Sequence, residues 1–133
     1  MREILFRGKR TDDYEWIEGS LCTTIPSDED FYTISYFDFE GYYIEEKVIP
    51  ETVGQYTGLT DKNGKKIFEG DIIQSLESSA TGLVQWFPEH SAFMVWCKSA
   101  NEVGILYECA DIIKVIGNIY DNPELMKGGN NNG

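Results

Sequence analysis

Glu69 and Asp71 flank Gly70 in a run that continues into Ile72-Ile73, and a pair of carboxylates is the minimum a glycosidase-type hydrolase needs. The plainer expectation is that one of the two accepts backbone N–H bonds and fixes the glycine corner. Gly58 to Lys65 approaches the spacing of a phosphate-binding loop, but it is one residue too long. Lys66 stands where a serine or threonine should hold magnesium, and the sequence predicts no helix after it. Asp61 and Asn63 open like a calcium loop; Lys65 then occupies a ligand position, Lys66 the required glycine and Ile72 the bidentate glutamate, so that chemistry fails too. His90 sits in the loop Pro88-Glu89-His90-Ser91 with no sequence neighbour to make it a general base. Cys97 follows Trp96 in an apolar run and reads as packing rather than as a nucleophile. No catalytic, metal-binding or cofactor-binding set emerges, so the expectation is a protein that is not an enzyme and needs no cofactor.

Composition narrows the alternatives. The 133 residues carry 23 acidic and 11 basic side chains, a net charge of −12. That balance disfavours nucleic acid, whose counterions lysine and arginine must replace, and an anionic membrane surface. It fits self-repulsion and solubility, or an acidic surface offered to a basic protein. Two basic tips, Arg7-Lys9-Arg10 and Lys62-Lys65-Lys66, keep a nucleic-acid-binding barrel open as the alternative reading, with an unrecognised hydrolase behind it. Arg2, Glu3 and Arg7 interrupt the early apolar residues, so no signal peptide is expected, and no apolar run approaches the roughly twenty residues of a membrane helix. Cys22, Cys97 and Cys109 are odd in number and lack metal-ligand spacing. They are expected to be free, mostly buried thiols in a reducing cytoplasm.

The elements that must position these residues are mainly β. Period-two patterns run through Ile4 to Arg7 and Tyr14 to Leu21. Tyr32, Tyr36, Phe37 and Phe39 approach the turn Glu40-Gly41, and Tyr42 and Tyr43 follow it. This is a hairpin with rings on both faces, rimmed by Asp38, Glu40, Glu45 and Glu46. A half-buried sheet would be polar on one face, so these six aromatic residues either complete the core or form an interface, with another copy of the chain among the candidates. They are the candidate site. Ser27 to Asp30 is expected to be a loop tip, and Asn63-Gly64 and Gly70 mark later turns. Short strands around Ile72-Ile73, Leu83 to Trp86, Phe93 to Trp96 and Ile112 to Tyr120 suggest a small SH3-like β-barrel. The expected organisation is an N-terminal sheet and hairpin region over 1–50, a C-terminal barrel over 51–125 and a flexible tail over 126–133.

The run from Gln55 to Leu59, then from Asp61 to Ile73, resembles the signature of the YopX family. The ending from Val115 to Leu125, the opening Arg7 to Arg10 with Glu15-Trp16, and Pro50 to Gly54 resemble it as well, so the likeness spans nearly the whole chain. What the resemblance implies is a β-rich phage or prophage protein of unknown function, with no catalytic residues to carry over. Ser27 to Glu46 is the least signature-like part. The resulting expectation is an accessory protein that binds a protein partner, a basic host or phage protein or a second copy in a homo-oligomer.

Overall fold

The computed structural model describes residues 3–24, 31–98 and 101–128. The chain divides between Tyr56 and Thr57 into two compact units. The expected loop tip over 27–30 and the last five residues of the expected tail lie outside the described residues.

In the first unit, β1 (Phe6–Lys9), β2 (Trp16–Thr24), β3 (Phe31–Phe37) and β4 (Tyr43–Val48) form an antiparallel sheet in the order β4-β3-β2-β1. The first residues of β5 (Gly54–Thr60) stand beside β1, with Gln55 opposite Phe6. Side chains alternate between faces along each strand. Ile34, opposite Leu21 and Glu46, and Val48, opposite Tyr32, therefore share a face, where they are 0% and 2% exposed. The strands curl over this face until the end of β4 meets the end of β1. Arg10 and Val48 form an isolated bridge, Thr11 donates to the Lys47 carbonyl, and Ile49 donates to the Lys9 carbonyl. Gly8 lies inside the curl, where an added Cβ would come within 3.1 Å of the Val48 Cβ. The 3-10 turn Pro50–Thr52 anchors the exit. Thr52 Oγ1 accepts the Lys9 N–H and donates to the Ile49 carbonyl.

In the second unit the later residues of β5 lead to β6 (Lys66–Phe68). There follow β7 (Asp71–Ser75), β8 (Thr81–Phe87), β9 (Ala92–Cys97) and β10 (Glu102–Ile105). The helix α1 (Leu106–Cys109) and the 3-10 turn Ala110–Ile112 connect to β11 (Ile113–Asn118), and α2 (Glu124–Gly128) comes last. Five of these strands form an antiparallel sheet in the order β10-β9-β8-β7-β11. Its core gathers Ile67, Ile73, Val84, Val95, Leu106 and Ile113. Fully burying side chains of this kind stabilises a fold by about 1.5–3 kcal/mol each. Met126 is buried on α2, so the last helix takes up the first three positions assigned above to the tail.

Mainly β architecture is as expected, but neither sheet closes into a barrel. In the second unit, β11 pairs with β7 through a bulge between Val115 and Gly117, and β10 pairs with β9. The chain passes between these outer strands as helical turns rather than as another strand. The reason is local: Leu106, Cys109 and Ala110 recur at helical spacing and face the core, which a strand could not achieve. In the first unit the curl ends in a bridge and not a ladder. The thiols also depart from expectation, since Cys22 is exposed and Cys97 and Cys109 are half-buried. Cys22 pairs with Thr33 across β2 and β3, on the sheet face opposite Ile34.

Candidate functional site

The β3–β4 hairpin is built around one carboxylate. Asp38 Oδ1 accepts the backbone N–H groups of Glu40 and Tyr42, both at 2.9 Å. The Asp38 N–H bonds to the Tyr42 carbonyl, and the Gly41 N–H to the Asp38 carbonyl. Gly41 adopts φ +92°, a left-handed conformation that a Cβ would strain. The turn is thus held by four hydrogen bonds, which fix the direction of the rings it carries.

Those rings face solvent. Phe39 is 98% exposed, Phe37 71%, Tyr42 67% and Tyr43 59%. Phe37 and Tyr43 are directly opposite in the ladder and pack edge to face with centroids 5.7 Å apart. Glu45, two residues along on the same face, accepts a hydrogen bond from the Thr33 hydroxyl at 2.8 Å. Of the six aromatic residues singled out from sequence, these four lie in or beside the turn, with Phe37 and Tyr43 in ring contact. The other two do not join them. Tyr32 and Tyr36 are half-buried on the opposite, covered face. The Tyr36 hydroxyl donates to Glu46 Oε2 at 3.1 Å, and Arg10 Nη2 binds Glu46 Oε1 at 2.9 Å. Burial and then the Glu46 contact push the Tyr36 phenol above its ordinary pKa. This network ties the base of the hairpin to the end of β1, while Arg10 Nε also approaches Asp12 and Asp13. The division between core and surface follows strand alternation, and a count of rings alone could not resolve it.

Charge is concentrated in the same segment. Eleven of the 23 acidic residues, and none of the 11 basic ones, fall between Thr11 and Glu46. Around the rings this leaves Asp38, Glu40 and Glu45. On β1, which precedes this segment, cations gather instead: the Arg7 guanidinium lies 4.7 Å from the Trp16 ring centroid and the Lys9 ammonium 5.6 Å. This pairing of alternate β1 residues with the first residue of β2 was not anticipated from sequence. The signal was present in the spacing of Arg7 and Lys9, which puts both on one strand face.

The remaining candidates have structural partners. Asp71 is 1% exposed, and its Oδ2 accepts the Phe68 N–H at 2.8 Å, the corner-fixing role expected for one member of the Glu69–Asp71 pair. Asp61, 6% exposed, accepts the N–H groups of Asn63 and Lys65 through Oδ1 and of Val115 through Oδ2, all at 2.8–2.9 Å. Burial opposes its ionisation, but the three N–H donors and the nearby Lys65 outweigh it and hold Asp61 below the usual carboxylate range. His90 is exposed and stacks on Phe87 at 6.4 Å. Lys62, Lys65 and Lys66 are exposed at their turn. Cys97 Sγ is 3.2 Å from the Thr81 carbonyl, and burial followed by the charges of Asp111 and Glu108 pushes the Cys109 thiol up. Both cysteines help line an open cavity of about 200 Å³ whose walls include Ile73, Val95, Val103 and Ile113. A protonated thiol is a poor nucleophile. Among the described residues, no three histidine, cysteine or acidic side chains group as metal ligands, and no helix is long and apolar enough to cross a membrane.

Two solved structures share this fold. Protein EF1440 from Enterococcus faecalis is 24% identical, with 95% of this chain and 99% of that one covered and a TM-score of 0.55. Protein yopX from Bacillus subtilis is 20% identical, with 91% and 96% covered and a TM-score of 0.52. No curated protein matches the chain. The family model described as YopX protein matches residues 5–127, nearly the full length, and the chain belongs to the YopX family.

Proposed function

We propose that this chain is a non-catalytic protein-binding module, a phage or prophage accessory protein acting in the bacterial cytoplasm, and that the β3–β4 tip is its contact surface. The observation that carries this reading is the exposure of Phe37, Phe39, Tyr42 and Tyr43 together on one hydrogen-bonded turn. A cluster of large rings left in water is unfavourable for an isolated chain, and such rings dominate binding energy where they are covered by a partner. A turn fixed in advance also reduces the ordering cost of association. The occupant is a protein, either a second copy of the chain or another molecule.

The test compares the intact chain with a variant in which Phe37, Phe39, Tyr42 and Tyr43 are all serine. Both serve as bait in extracts of lysogenic or infected bacteria, and both are followed by light scattering. The expected result is a specific partner, or self-association, that the intact chain shows and the variant lacks. A partner retained equally by both baits would contradict the assignment of the surface.

A further inference from the structure

We propose that the β3–β4 tip docks an arginine-bearing basic face of another protein rather than a second copy of this chain. The inference rests on the reading that the tip is a binding surface, and it names the chemistry of the occupant. Three observations combine. The rings of Phe37, Phe39, Tyr42 and Tyr43 offer exposed π-faces and edges. Asp38, Glu40 and Glu45 lie on the same turn and strand. No lysine or arginine occurs from Thr11 to Glu46, and the next cation along β4, Lys47, stands opposite Thr33 at the far end of the strand from the turn.

A guanidinium satisfies both parts of such a surface. Its plane stacks on an aromatic ring while its N–H fork binds a carboxylate, and it is more weakly hydrated than an ammonium. Self-association through the tip would instead bring two cation-free, acidic segments together, and like charges at an interface oppose the contact. A nucleic acid is opposed by the same charge.

The test uses a labelled nona-arginine peptide as probe, with nona-lysine beside it, and reads fluorescence anisotropy against the intact chain. Binding is expected to be tighter for nona-arginine and to weaken at least tenfold between about 50 and about 300 mM salt, as screening shortens. The Phe39→Ser/Tyr42→Ser variant leaves the charge unchanged and is expected to weaken binding about tenfold, since rings as well as charge hold the probe. The Glu40→Gln/Glu45→Gln variant should weaken it similarly. Glu77→Gln/Glu89→Gln removes the same charge from exposed positions of the second unit and should change affinity less than about twofold, because neither residue belongs to the proposed surface. All three variants alter exposed side chains, and a melting curve matched to the intact chain confirms the fold.

The proposal is overturned if nona-arginine does not bind, if the ring variant binds as well as the intact chain, or if the two charge variants lose equal affinity. A partner captured through the rings whose affinity ignores salt would also overturn it while leaving the tip as a docking surface. Loss of ring dependence for every partner would remove the docking surface itself.

Discussion

Single carboxylates do much of the structural work in this chain, and Asp61 is the clearest case. It sits at a turn that sequence reasoning compares with a calcium loop, yet its two oxygens are taken up by three backbone N–H groups, one of them 54 positions away at Val115. Removing it takes a charged partner from three part-buried N–H donors, and a hydrogen bond to a charged group contributes about 1.5–3 kcal/mol. Asp61→Ala is therefore expected to destabilise the protein by about 3 kcal/mol or more, measured by urea unfolding at neutral pH. The pH dependence has a definite sign. The folded pKa of Asp61 is lowered, so its contribution is fully present above the unfolded value of about 3.9 and is lost as pH falls through the folded value. Between pH 5 and pH 3 the intact chain should lose more stability than Asp61→Asn; equal losses would show that the three N–H bonds do not favour the ionised form. The Asn63-Gly64 turn was legible but the role of Asp61 in it was not, although an acid two and four residues before amide donors is the arrangement by which such a residue closes a turn. The bond to Val115 was not legible, since nothing local to either residue encodes a contact across that separation.

At the scale of elements, the hairpin shows how far alternation can be read and where it fails. Its turn at Glu40-Gly41 and its two ring-rich strands were visible in the pattern, and Gly41 indeed adopts a positive φ. What the pattern left open was which rings are covered, because aromatic residues occupy both parities of β3. The ladder decides it: Ile34 and Tyr36 share the covered face with Val48, whereas Phe37 and Tyr43 face away. This gives a sharp contrast for mutation. Ile34→Ala, in a fully buried position, is expected to cost about 2–5 kcal/mol. Phe39→Ser/Tyr42→Ser, only a few positions further on, should change stability by less than about 0.5 kcal/mol. Thermal unfolding of the two variants checks both. A comparable loss from the tip substitutions would mean that the rings belong to the core of the first unit. The helices were the least legible elements. α1 has only four residues, too few for its periodicity to stand out against neighbouring strands, and the barrel expectation failed because that turn replaces a closing strand.

For the whole molecule, composition described the class of protein but not its shape. The β-rich character and the family followed from short alternating runs and from the long signature between Gln55 and Ile73. Two open sheets in place of a barrel depend on which strand edges meet, and that is settled by packing at residues such as Gly8 and Leu106. Net charge was equally incomplete as a guide. A value of −12 suggests a uniformly acidic protein, whereas nearly all of the excess lies in the segment that carries the hairpin. Exposed rings and the carboxylates of Asp38, Glu40 and Glu45 share this one hairpin end, which is why the proposed contact surface is placed there.

The most direct measurement of that claim is backbone hydrogen exchange of the chain alone and bound to the partner it captures. The account predicts slowed exchange concentrated over residues 37–45, with the second unit little changed. Protection confined to other residues, with 37–45 exchanging as in the free chain, would contradict it.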